Sequence, residues 1–138
     1  SWVEPARDSR PTVLVVDDNA DILALMRMGL EGWFELLMAS SAQEALALAA
    51  GRHLDLILSD LCMPEQDGLS LLRALRAQGQ LAPAVLVTAM SEKAEVLLAL
   101  RSGLITSVVA KPWAMAHLLA EARKLLGLAT LDDGSTPP

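Results

Sequence analysis

Five short apolar runs punctuate the chain: TVLVV (Thr12 to Val16), FELLMA (Phe34 to Ala39), LDLILS (Leu54 to Ser59), AVLVT (Ala84 to Thr88) and SVVA (Ser107 to Ala110). Most lack the polar alternation of a strand with one wet face, so they read as strands covered on both sides. The segments between them carry helix spacing instead: Ile22, Met26, Gly29 and Trp33 in the first, Ala42, Ala45, Leu46 and Ala49 in the second, and Leu118, Leu119, Ala122, Leu125 and Leu126 in the last. Punctuation agrees with this reading. SAQE (Ser41 to Glu44) is a capping box that opens the second helix, Gly51 stands where it should stop, and Gly32, Gly79, Gly103 and Gly127 follow the other candidate helices. Strand and helix alternating five times, with right-handed crossovers, predict a parallel sheet with helices on both faces, an α/β fold.

Length and composition narrow the class. A chain of 138 residues fits one domain that buries its own core, expected over residues 11–127. Residues 1–10 and 128–138 are polar, Pro- or Gly-containing and aperiodic, and read as linkers or tails. The chain opens without Met, so it is expected to be a piece of something longer. Although 53% of residues are hydrophobic, no run approaches the roughly 20 apolar residues of a membrane span, and no leader pattern opens the chain. One cysteine, Cys62, permits no internal disulfide and fits a reducing cytoplasm. A formal charge of −6 without a basic cluster argues against direct nucleic-acid binding.

Candidate chemistry sits where the apolar runs stop. In an open parallel sheet, ligands bind at the carboxyl ends of the strands. There the first run ends in Asp17 and Asp18, the third in Asp60, the fourth in Thr88 and the fifth in Lys111. Clustered carboxylates repel one another and call for a cation. An all-oxygen site that retains waters suits Mg²⁺ better than zinc. A Mg²⁺ beside a carboxylate, a hydroxyl and a lysine is what phosphoryl transfer requires, because that reaction asks for positioning and charge neutralisation.

The stretches VVDDN (Val15 to Asn19), SDLCMPEQDG (Ser59 to Gly68), VTA (Val87 to Ala89) and KPW (Lys111 to Trp113) occur in order, each closing its own strand. In this the chain resembles the receiver domain of bacterial two-component response regulators. The resemblance spans Pro11 to about Leu126 and implies a flavodoxin-like, doubly wound (βα)5 sheet of strand order 2-1-3-4-5. It further implies that Asp60 accepts a phosphoryl group from a phosphohistidine on a sensor kinase or a phosphotransfer domain. Asp18, Asp60 and the backbone carbonyl of Cys62 would bind Mg²⁺, with Asp17 acting through metal-bound water. Thr88, with Ala89 beside it, would receive a phosphoryl oxygen, Lys111 would pair with another, and a cis bond would precede Pro112. The output face would be the fourth helix, fifth strand and fifth helix, through an attached or separate module or a homodimer.

Plainer readings stand beside these. Asn19 or Asp18 also suits a helix N-cap, Asp67-Gly68 a turn into the third helix, and Thr88 an ordinary β-branched strand residue. His53 and His117 carry no ligand pattern and read as surface residues. Cys62 and Met90 flank the pocket and are expected to set the phosphoryl lifetime through water access. Val96, Leu97, Leu98 and Leu100 cover more of the fourth helix than one buried face needs, as in a fully buried helix or a partner surface. The chain departs from the family at Val108, where receivers usually place a Tyr or Phe three residues before the lysine. The signal is therefore expected to run through Thr88 and the loop from Ala89 to Ser91. Two competing functions share these residues: a receiver-like interaction module that takes no phosphate, and an aspartyl-phosphate hydrolase. The latter usually needs a second acid two residues after the nucleophile, where this chain has Cys62.

Overall fold

β-branched and leucine-rich runs form five parallel strands, and the amphipathic segments between them form the return helices. The structure, a computed structural model, describes residues 9–129 together with Leu131 and Pro137. In chain order the elements are β1 (Thr12–Val16), α1 (Ala20–Leu30), β2 (Glu35–Ala39), α2 (Ala42–Ala49), β3 (Leu56–Asp60), α3 (Gly68–Ala77), β4 (Ala84–Thr88), α4 (Ala94–Ser102), β5 (Ser107–Ala110) and α5 (Met115–Leu125). The sheet order is β2-β1-β3-β4-β5, as expected.

Alternation along each strand divides the core. Val13, Val15, Leu56, Leu58, Val85 and Val87 pack with α1 and α5 through Met26, Leu30, Phe34, Leu118 and Ala122. On the other face, Leu14, Val16, Ile57 and Leu86 meet α2, α3 and α4 through Ala45, Ala49, Leu71, Leu72, Leu75, Val96 and Ala99. β3 and β4 are buried along their whole length. Each buried Val, Leu or Ile contributes roughly 1.5–3 kcal/mol of burial energy, so these strands form a stiff floor for whatever their ends carry.

Several local expectations shift by a residue or two. Trp33 does not lie on α1: the helix closes at Glu31, and the amides of Trp33 and Phe34 both return to the Leu30 carbonyl, at 3.0 and 3.1 Å. Leu54 is buried but precedes β3, which begins at Leu56 and includes Asp60 as its last residue. The α2 box forms with a slip. Ser41 Oγ accepts from the Glu44 amide at 3.0 Å, while Glu44 Oε1 accepts from the Ser40 amide at 3.2 Å, one residue further back than the usual partner. Of the predicted glycine stops, Gly51, Gly79, Gly103 and Gly127 adopt positive φ and Gly32 does not. α4 is not fully buried: Val96 and Ala99 face the core, whereas Leu97 and Leu98 are 47% and 64% exposed.

Two side chains tie the amino-end side of the sheet together. Arg76, near the end of α3, donates to the carbonyls of Gln80 (3.0 Å), Ala82 (2.6 Å) and Leu104 (3.1 Å). Gln80 Nε2 donates to those of Ala49 and Arg52, at 2.9 and 2.7 Å. The tails expected at residues 1–10 and 128–138 lie largely outside the described residues; within them, Arg10 Nη1 donates to the Glu31 carbonyl at 2.7 Å. Among the described residues no helix is long and apolar enough to cross a membrane.

Candidate functional site

The carboxyl ends of β1, β3, β4 and β5 converge, and the expected residues meet there. One carboxylate oxygen from each of Asp17, Asp18 and Asp60 lies within 4.8 Å of the others. Asp17 and Asp60 are buried, at 2% and 7% exposure, and Asp18 faces solvent. Two unit charges 4.8 Å apart repel by roughly 3.5 kcal/mol at an effective dielectric of 20. Burial therefore raises the Asp17 pKa above its ordinary value, Asp60 and Asp18 push it the same way, and the Asn19 amide and Lys111 pull it down.

Local structure aims each group. Asp17 Oδ1 accepts from the Asn19 amide at 2.8 Å, and Asn19 Oδ1 in turn caps α1 by accepting from the amides of Asp21 and Ile22. The capping reading is thus right for Asn19, while Asp18 is left for the cluster. Lys111 follows β5 and reaches back across the sheet, its Nζ lying 3.2 Å from Asp60 Oδ1 and 3.8 Å from Asp17 Oδ2. The Lys111–Pro112 bond is cis, as expected. Thr88 ends β4, is 2% exposed, and accepts from the Met90 amide through Oγ1 at 3.0 Å. Ala89 is exposed at the start of the β4–α4 loop.

The β3–α3 loop closes over the end of β3. Asp67 caps α3 by accepting from the Ser70 amide at 2.8 Å, which bears out the turn reading. A Cβ at Gly68 would run into the Asp60 carbonyl oxygen, so only glycine lets this loop pack against the strand end. Cys62 is exposed, and its Sγ lies 4.0 Å from Met90 Sδ, so these two residues touch each other. Val108 is half-buried against the cluster that holds Leu86 and Val96. His53 is exposed and paired with Asp55 at 3.1 Å beside the amino ends of β1 and β3, where Asp55 also accepts from the Thr12 amide, and His117 is exposed on α5. Sequence reasoning missed the amide contact between Met90 and Thr88, because a main-chain donor leaves no mark on side-chain identity.

A doubly wound parallel sheet with an acidic pocket and an inward lysine at its strand ends defines a class of phosphoacceptor domains. Residues 13–123 match the response regulator receiver domain, and the chain belongs to that family. It is a phosphoacceptor switch of two-component signalling, a regulatory domain rather than a classical enzyme. It is similar to the transcriptional regulatory protein PrrA of Mycobacterium tuberculosis, at 38% identity over 117 residues, covering 84% of this chain and 50% of PrrA. It also resembles the response regulator MprA of Mycolicibacterium vanbaalenii, at 35% identity over 124 residues, covering 89% and 53%. Among solved structures, the receiver domain of the Francisella response regulator 1452 superposes with a TM-score of 0.77 at 29% identity, covering 86% of this chain and 98% of that one. The chain spans about half the length of the curated relatives it matches.

Proposed function

We propose that Asp60 is the phosphoacceptor, taking a phosphoryl group from a phosphohistidine on a sensor histidine kinase or a histidine phosphotransfer domain. The observation that carries this is the pairing of a buried carboxylate at the end of β3 with Lys111 Nζ at 3.2 Å, inside an acidic cluster. A free Asp60 oxygen attacks phosphorus in line, the P–N bond breaks, and the imidazole keeps the electron pair.

The donor set fits Mg²⁺, since hard carboxylate oxygens gather where Asp18 faces solvent. Asp18, Asp60 and the Cys62 carbonyl would hold the ion, with Asp17 acting through metal-bound water, and such an ion would supply positive charge to neutralise phosphoryl oxygens. Lys111 pairs with a second phosphoryl oxygen, and the Thr88 hydroxyl and Ala89 amide donate to a third. Phosphorylation adds roughly −1.5 to −2 charge at this point.

The output face is α4, β5 and α5, which carries the exposed Leu97 and Leu98 and suits either a linked module or a second copy of the chain. The setting is the cytoplasm, where phosphohistidine donors work. Incubation with Mg²⁺ and acetyl phosphate followed by intact mass measurement tests the assignment. A single phosphoryl adduct is expected, lost in Asp60→Asn. No adduct on the unaltered chain, or one that survives the substitution, overturns the assignment.

A further inference from the structure

The end of the sheet opposite the acidic cluster carries the reverse charge pattern. No Asp or Glu occurs between Asp67 and Glu92, or between Glu95 and Glu121, although the chain as a whole is acidic. Those two stretches supply α3, most of α4 and the connections that follow them, and together they border an open cleft of about 660 Å³. Arg73 and Arg76 line it from α3, Leu81 and Pro83 from the α3–β4 connection, and Ser102 and Thr106 from the end of α4 and the lead into β5. Its size is that of a small-molecule site, roughly 300–1,000 Å³.

The two guanidiniums lack an anion. Three residues apart on a helix, they share one face of α3, and among the described residues neither lies within ion-pair distance of a carboxylate. Arg76 meets the carbonyls of Gln80, Ala82 and Leu104 through Nη1 and Nη2, while its Nε–H has no partner among the described residues. Those carbonyls offer dipoles and no counter-charge. Desolvation accordingly pulls the Arg76 pKa below its ordinary value, with no acid to offset it. A cation in the last turn of a helix suits the helix dipole, which accounts for Arg76 but not for Arg73, a turn earlier and exposed.

Apolar surface lies beside this charge. Leu81 is 84% exposed, more than any other large apolar side chain among the described residues, and Pro83 and Leu104 are half-buried. A guanidinium fork grips a carboxylate or phosphate by paired hydrogen bonds, and a neighbouring apolar wall gains from covering hydrocarbon. We infer that the cleft is a binding site for a small amphiphilic oxyanion, a carboxylate or phosphate joined to a short apolar body. Arg73 and the free Nε–H of Arg76 hold the head, and Leu81 and Pro83 cover the body. The site is independent of the assignment of Asp60, since it lies at the amino ends of β4 and β5 and the acidic cluster at the carboxyl ends of the strands. Because Arg76 also holds the Leu104 carbonyl at 3.1 Å, a bound anion bears directly on the connection between α4 and β5.

The test titrates the full chain, free of Mg²⁺, with benzoate and with phenyl phosphate, and separately with benzyl alcohol as the body alone and inorganic phosphate as the head alone. Amide resonances of Leu81, Gly103 and Thr106 report the cleft, and those of Asp18 and Ala89 report the opposite end. Saturable shifts in the cleft are expected with at least one aromatic anion, the tighter of the two naming the head, while Asp18 and Ala89 stay quiet. Benzyl alcohol and inorganic phosphate should each bind about tenfold more weakly or worse, and Arg73→Gln should weaken the anion about tenfold, the loss of one charge-assisted hydrogen bond. Arg76 is left in place because it holds the fold. Absent shifts with both aromatic anions, shifts confined to Asp18 and Ala89, or benzyl alcohol binding as tightly as the anions overturns the site, and these comparisons need no variant to fold. Undiminished binding in a folded Arg73→Gln overturns it as well. A response to a glutamate-rich peptide with none to either small anion assigns the cleft to a protein partner and overturns the ligand class inferred here.

Discussion

Asp17 bears the electrostatic cost of the site. Its carboxyl is buried, its pKa is raised, and its charge at neutral pH opposes folding of the metal-free chain. The sign follows from linkage: the folded state binds this proton more readily than the unfolded state, so the group's contribution improves as pH falls through its folded value and is complete below the ordinary 3.8. Asp17→Asn is therefore expected to melt at a higher temperature than wild type near pH 7 without metal. That advantage should shrink as pH falls through the Asp17 titration, while Mg²⁺ binding weakens at neutral pH; thermal melts across pH and a metal titration check both. The carboxylates, Thr88 and Lys111 were legible in the sequence because each directly follows or closes an apolar run, and strand ends in a parallel sheet converge. The Met90 amide was not legible, and neither was the division of labour by which Asn19 caps α1 while its amide aims Asp17.

At the scale of elements, β1, β4 and β5 run between the residues the apolar pattern marked. β1 and β4 lie inside the sheet and need no polar alternation, whereas β5 is an edge strand set off by its polar flanks Thr106 and Lys111. Helix ends were harder to read, since α1 stops by returning two amides to one carbonyl and leaves Trp33 outside it. For α4, counting apolar residues could not say which of them face inward, and Leu97 and Leu98 face out. α3 holds a structural role that no motif advertised. Arg76 satisfies carbonyls from the α3–β4 and α4–β5 connections at once. Removing it leaves those groups without their charged donor, at a cost of about 2–3 kcal/mol. Arg76→Met should lower stability by that amount in chemical denaturation and still form the adduct at Asp60.

For the whole molecule, the acceptor pocket is where charge repulsion concentrates, so occupancy should stabilise the entire fold. Free Mg²⁺ at about a hundred times its dissociation constant adds about 2.7 kcal/mol if it binds only the folded state, or roughly 10 °C in melting temperature for a domain of this size. Calorimetry with Mg²⁺ and then with a chelator should show the gain and its reversal, and Asp18→Ala should show neither. The amino-end side, clasped by Arg76 and Gln80, is also where the described chain comes and goes. β1 begins there three residues after Ser9, and α5 returns there before Ala129. The described chain therefore enters and leaves on the side opposite the acidic cluster, so on the proposed assignment of Asp60 a neighbour joined through it is attached away from the acceptor.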